Sequence, residues 1–145
     1  MRQVYICIDL KSFFASVECV ERGLDPMTAK LVVADPTRTA KTICLAVSPA
    51  LRALGVRNRC RVFEIPPRLE YIMAQPRMAL YIQYSARIYS IYLRYFSPDD
   101  IHVYSIDEVF IDVSRYLAVQ RKTPRELVKM LLRDIKAETG LVATC

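Results

Sequence analysis

Ile101-His102-Val103-Tyr104-Ser105-Ile106-Asp107-Glu108-Val109-Phe110-Ile111-Asp112-Val113 is the stretch on which the fold turns. β-Branched and aromatic side chains fill both ends, so Ile101 to Ser105 and Val109 to Val113 read as two strands. Ile106-Asp107-Glu108 is left as the junction of a tight hairpin. Upstream, from Met78 to Phe96, Tyr84, Ile88, Ile91, Tyr92 and Tyr95 follow a three-and-four spacing until Ser97-Pro98-Asp99-Asp100 breaks it, which predicts a long amphipathic helix. Its tyrosines are read as core packing rather than as a base-stacking surface. Downstream, Thr123-Pro124-Arg125-Glu126 is a capping box with proline at the first helical position. Leu127, Leu131 and Ile135 continue that helix to Gly140, and Leu141 to Cys145 begins a further strand.

At the other end of the chain, Val4-Tyr5-Ile6-Cys7-Ile8 is a short apolar run closed by Asp9, a buried strand with an acid at its tip. A helix is predicted over residues 12–22. Phe13, Val17 and Val20 share its apolar face, Phe14, Glu18 and Glu21 fall on another, and Gly23 is the left-handed stop. Six of the eight prolines (26, 36, 49, 66, 67 and 76) lie between residues 26 and 76, marking an irregular lobe. Within it, Ser48 to Gly55 reads as a short helix with a hydroxyl cap, proline at the first position and Arg52 projecting.

The element order is strand, helix, lobe, helix, strand, strand, helix, incipient strand. Apart from the lobe and its extra helix, this is the split βαββαβ pattern of a ferredoxin-like layer, so the expected fold is α+β. An antiparallel sheet would carry helices on one face, with a small, mainly helical insertion. The expected boundaries are 1–23 and 78–145 for the sheet domain and 24–77 for the lobe.

The 145 residues, 53% of them hydrophobic and 25% charged, exclude a disordered chain, and 3 glycines exclude a collagen-like one. No apolar run approaches the roughly 18 residues that a bilayer span needs, and the acid at residue 9 interrupts any secretory stretch, so no membrane association is expected and the location is cytoplasmic. The 21 basic and 15 acidic residues leave a net charge of +6, which suits a polyanionic partner. Arg52, Arg57, Arg59 and Arg61 stand within ten residues free of acids, either a phosphate-seeking face or a solvated loop. Five cysteines without a C-x-x-C pair predict neither disulfides nor zinc, only buried thiols.

Asp9, Asp107 and Glu108 are the chemistry-bearing candidates. In a split βαβ sheet the first strand is central and can lie beside the hairpin, so acids about a hundred residues apart in sequence can meet. At 4 Å each pair repels by roughly 4 kcal/mol at an effective dielectric of 20, so such a cluster calls for protonation, hydration or a cation. Hard oxygen donors without nearby His favour magnesium or manganese, and two such ions suit phosphoryl or nucleotidyl transfer. The alternative is that Asp9 caps the following helix and Asp107 and Glu108 are solvated turn residues.

Ile8-Asp9-Leu10-Lys11-Ser12-Phe13-Phe14-Ala15-Ser16-Val17-Glu18 and Tyr104-Ser105-Ile106-Asp107-Glu108-Val109-Phe110-Ile111-Asp112-Val113 resemble the two catalytic motifs of Y-family translesion DNA polymerases. Leu45 to Val56 resembles that family's finger motif, closest to the UmuC-like bacterial branch, and the order and spacing agree along essentially the whole chain. The resemblance implies that the sheet is the palm and the proline-rich lobe the fingers, and that two Mg2+ ions, replaceable by Mn2+, are the cofactors. It implies that Asp9 and Asp107 bridge both ions, that Glu108 holds the ion at the primer end and that the Leu10 carbonyl completes the nucleotide-side ion.

By the same resemblance Phe14 is a steric gate against a ribose 2′-hydroxyl, where the residue pattern alone also allows a broad helical core face. Phe13, Ser48 and Arg52 complete the nucleotide-binding set, Arg52 as the triphosphate contact, and Arg57, Arg59 and Arg61 meet DNA. Implied partners are primer-template DNA, deoxynucleoside triphosphates and a candidate sliding-clamp contact made beyond residue 145. Lys11 stands where many members have a second Asp, which is not a metal ligand. Ala46 and Pro49 replace a Thr and a Tyr that contact triphosphate in some members, placing more weight on Arg52 and Ser48.

The chain stops before the family's next palm strand, its phosphate-binding Lys, the thumb and the little finger. It is therefore expected to be a catalytic-core fragment, inactive alone, with an open sheet edge as a candidate for pairing with a second copy. The expected activity is template-directed deoxynucleotidyl transfer during damage bypass. A palm-type cyclase or other nucleotidyltransferase, and a non-catalytic nucleic-acid-binding adaptor, are the alternatives.

Overall fold

The structure is a computed structural model that describes residues 3–35, 37–39 and 41–145; the Pro36 of the proline-rich stretch lies outside the described residues. Along the chain run β1 (Tyr5–Leu10), α1 (Phe13–Glu21), β2 (Leu31–Val33), β3 (Ala46–Val47), α2 (Pro49–Ala53), β4 (Ile72–Ala74), α3 (Met78–Leu93), β5 (Ile101–Ser105), β6 (Glu108–Asp112), α4 (Ser114–Gln120), α5 (Pro124–Thr139) and β7 (Ala143–Thr144). Single 3-10 turns stand at Val62–Glu64 and Pro98–Asp100. The chain divides into two compact units, residues 1–11 with 82–145 and residues 12–81, the boundary falling inside α3.

The first unit is built on a four-stranded sheet of order β5-β6-β1-β7, antiparallel throughout. β1 is central, as the split pattern requires, and β6 lies beside it in the register Tyr5 to Asp112 through Asp9 to Glu108. Period-two alternation gives the sheet its two sides. Ile6, Ile8 and Leu10 are buried with Val109 and Ile111, while Tyr5 and Asp9 are exposed and Glu108, Phe110 and Asp112 half-buried. Ile88, Ile91 and Tyr92 of α3 and Leu127, Leu131 and Ile135 of α5 supply the rest of the apolar layer. Tyr95 donates to Asp134, Arg94 pairs with Glu138, and Arg87 Nη2 donates to the Glu138 carbonyl at 2.8 Å, so the end of α3 is tied to α5. The capping box of α5 forms as expected, with Thr123 Oγ1 accepting from Glu126 N and Gly140 closing the helix at φ 77°.

The second unit carries a three-stranded sheet of order β3-β2-β4, with β2 and β4 parallel. This refines the expectation of a mainly helical lobe: the strands are two or three residues long, too short to show a period. Val32, Ala34, Cys44, Val47, Leu51, Val56, Cys60 and Ile65 form its core. α1 belongs to this unit and packs on β2 and β3. On its second face, apart from that of Phe13, Val17 and Val20, Glu18 has no exposed surface.

The thiols depart from expectation at two positions. Cys19, Cys44 and Cys60 are buried, but Cys7 is half-buried and Cys145 exposed, because each lies on or beside the open face and edge of the sheet. Among the described residues no helix is long and apolar enough to cross a membrane.

Candidate active site

The candidate site is assembled at one end of the four-stranded sheet, wholly inside the first unit. Asp9 is the last exposed residue of β1, and its partner across the ladder is Glu108, the first residue of β6. Directly paired residues on one sheet face stand roughly 4.5 to 5.5 Å apart at their Cβ atoms, so the register alone makes neighbours of two like charges. Asp107 occupies the preceding turn. The turn is pinned on both sides: Leu10 N donates to the Asp107 carbonyl at 2.9 Å, and Ser85 Oγ on α3 donates to the Ile106 carbonyl at 2.8 Å. Ser105 Oγ reaches Asp107 Oδ1 at 2.7 Å and fixes that carboxylate's direction. A register shift between Val103 and Ser105 marks a bulge in β5 beside the turn, a device that re-aims side chains at sheet ends.

The Cys7 thiol is pushed up by burial, then by its hydrogen bond to Glu108 Oε1 at 3.5 Å and by the charges of Glu108, Cys145 and Asp9. Among the described residues no three His, Cys, Asp or Glu side chains close into a ligand set, so the acids share a sheet end as separate carboxylates. Their donors are hard oxygens. The chain's one histidine, His102, pairs with Phe110 two positions further along β6, and its ring lies 6.4 Å from that of Tyr5. Oxygen donors with no imidazole among them fit magnesium or manganese rather than zinc.

The remaining sequence candidates lie in the second unit. Phe13 is buried and Phe14 half-buried, with ring centroids 5.7 Å apart, and Phe14 stacks on Tyr81 at 4.7 Å with an interplanar angle of 19°. Arg52 is exposed on α2, its N–H donating to the Ser48 carbonyl at 3.0 Å, and no ion pair involves it among the described residues. Ser48 caps α2 by position only. Its hydroxyl, wholly buried, donates to the Ala29 carbonyl at 2.7 Å and accepts from Leu31 N at 3.1 Å. The expected cap bond is thus replaced by a tie to the chain entering β2, and a phosphate would have to draw that hydroxyl out of two bonds.

Arg57, Arg59 and Arg61 are exposed, but the acid-free stretch does not stay acid-free in space. Arg57 Nη2 pairs with Glu64 at 2.8 Å, Glu64 Oε1 also accepts from Arg61 N at 2.9 Å, and Arg61 Nη1 donates to the Lys41 carbonyl at 2.5 Å. Arg59, at φ 60°, is held in the left-handed region by that loop.

Sequence reasoning missed the supporting residues. Ser105 was signalled by lying two positions before Asp107; Ser85 and Cys7 act through pairings that only the fold creates. Ser12 was missed as well. It begins α1 at φ 47° without a side-chain cap bond, and its hydroxyl is buried with no partner among the described residues. That leaves the first-turn N–H groups of α1 without the usual cap, three residues after Asp9 in the chain.

A central strand and a hairpin bring three acids to one end of an antiparallel sheet in an α+β fold. The profile of the impB/mucB/samB family matches residues 8–145, and the chain belongs to that family. It is 38% identical over 107 residues to the DNA repair protein homolog YozK of Bacillus subtilis, covering 73% of this chain and 93% of that protein. It is 35% identical over 144 residues to DNA polymerase IV 2 of Halalkalibacterium halodurans, covering 99% of this chain but 34% of the relative. Among solved structures, a Y-family DNA polymerase chimera of Dbh and Dpo4 superposes with a TM-score of 0.82 at 25% identity, over 97% of this chain and 41% of that one. The chain thus spans about a third of the DNA polymerase IV relative it matches.

Proposed function

We propose that this chain is the palm and fingers part of a translesion DNA polymerase, adding deoxynucleotides to a primer opposite a template strand. The observation that carries the proposal is the pairing of Asp9 with Glu108 beside the pinned Asp107 turn. In this reading residues 1–23 and 78–145 are palm and 24–77 fingers. Asp9, Asp107, Glu108 and the Leu10 carbonyl would hold two divalent ions, magnesium or manganese, which when bound activate a primer hydroxyl and stabilise charge on the phosphates. The primer 3′-oxygen forms a bond to the α-phosphorus as the bond to the bridging oxygen breaks, and pyrophosphate departs.

The chain's own groups position the reactants. Arg52 offers a planar fork to the triphosphate, and the uncapped first turn of α1 offers backbone N–H groups to anionic oxygens. Phe14 excludes a 2′-hydroxyl. Arg59, and Arg57 and Arg61 in exchange for their present partners, meet the DNA backbone. Partners are therefore primer-template DNA and deoxynucleoside triphosphates, encountered in the cytoplasm.

The test is primer extension by the full-length protein. Asp107→Ala or Glu108→Ala abolishes extension while the far-ultraviolet circular dichroism spectrum of the parent is retained. Undiminished extension in either variant contradicts the assignment of the acids. Triphosphate turnover without a primer would instead favour a cyclase-like nucleotidyltransferase.

A further inference from the structure

Glu18 lies one helical turn from Phe14 on the same face of α1, and its carboxylate has no exposed surface. Four hydrogen bonds surround it. Arg77 holds it in a two-pronged grip, Nε to Oε2 at 3.0 Å and Nη2 to Oε1 at 2.5 Å, and Arg22 Nη1 meets Oε1. The fourth comes from Tyr81, whose hydroxyl donates to Oε2 at 2.6 Å. Burial pushes the Glu18 carboxyl upward, but the bonds from Arg77, Tyr81 and Arg22 outweigh it and hold it below its ordinary range. Burial and the bond to Glu18 push the Tyr81 hydroxyl well up, so it remains a donor. Tyr81 is wholly buried and anchored at its hydroxyl tip, and its ring face is the surface on which Phe14 stacks.

We propose that Glu18 and Arg77 are positioning residues that act through Tyr81 to fix the Phe14 ring and thereby set selectivity for the sugar of the incoming nucleotide. The proposal rests on the assignment of Phe14 as the gate. Excluding one hydroxyl group demands that the excluding ring be held to about half an ångström. Phe14 is the second residue of a nine-residue helix that has no side-chain cap, and Phe13 meets it only in a tilted contact, so its own element supplies little restraint. The stack on Tyr81 supplies it, and the tip bond to Glu18 keeps the lower ring from sliding. Arg77 fixes the plane of that carboxylate; a lysine would supply charge without the fork. The network consumes a buried ion pair, an expensive way to hold a helix and a cheap way to hold a direction.

Single-nucleotide insertion by the full-length protein, with deoxy- and ribonucleoside triphosphates measured separately, tests this. Tyr81→Phe keeps the ring and removes one bond; Arg77→Lys keeps the charge and removes the fork. Each is expected to raise the ribo-to-deoxy ratio of kcat/KM by about fivefold to tenfold, the worth of one such hydrogen bond. The rise comes from faster ribonucleotide insertion, with Phe14→Ala as the upper reference. A parallel fall of both insertion rates at constant ratio shows a purely structural network and overturns the proposal, while Phe14→Ala still raises the ratio. If Phe14→Ala itself leaves the ratio unchanged, the gate assignment fails and the positioning role with it.

Discussion

Glu18 is the residue at which local pattern and tertiary structure disagree most. On a helical wheel it shares a face with Phe14 and Glu21, apart from the apolar stripe; in the fold it is a buried anion with two guanidinium partners and a phenol. Its partners Arg77 and Tyr81 lie 59 and 63 residues away, and no periodicity within α1 announces them. Breaking such a buried pair leaves uncompensated charge, so Glu18→Ala should lower stability by roughly 3 kcal/mol, the low end for buried pairs because both arginines keep partial access to water. The pH dependence has a defined sign. A carboxyl whose folded value lies below its ordinary 4.5 contributes stability that is fully present above that value and is lost as pH falls toward the folded value. Thermal melts should therefore show a steeper loss below about pH 4.5 in the parent than in Glu18→Gln; equal slopes would show that Glu18 is not charged in the folded state.

Among the elements, those with chemical punctuation were legible and those without it were not. α5 announces itself through Thr123, Pro124, Glu126 and Gly140, and each takes the role its type suggests. Thr123→Ala should reduce stability by about 1 kcal/mol, read as a drop in the melting temperature, and no change would show that the cap bonds are not maintained in solution. β1, the hairpin and α3 were equally readable, because alternation and a three-and-four stripe are properties of the residues themselves. α4 was not foreseen: Val113 precedes it without a capping group, and the bond from Ser114 N to Asp112 Oδ1 that starts it comes from the end of a strand. The β3-β2-β4 sheet escaped notice because two- and three-residue strands are defined by their pairing partners. Ser48 looked like a cap and is a brace, since its hydroxyl found better partners in the chain entering β2.

At the scale of the molecule, the fold's main consequence is to bring the first strand and the hairpin together in one register. Asp9 is separated from Glu108 by about a hundred residues of sequence and by a single ladder step in space. The candidate acids were legible because strand tips and hairpin turns are where a sheet can present charge; Ser85 and Leu10 N, which pin the turn, were not, because their bonds exist only after the sheet forms. The direct measurement is a manganese titration of this chain, followed by the loss of free-ion paramagnetic signal, with a deoxynucleoside triphosphate present and with Asp9→Asn and Glu108→Gln compared against the parent. Saturable binding in the parent, weakened at least about tenfold in both variants, is the predicted result. Identical binding curves in all three proteins would contradict the account.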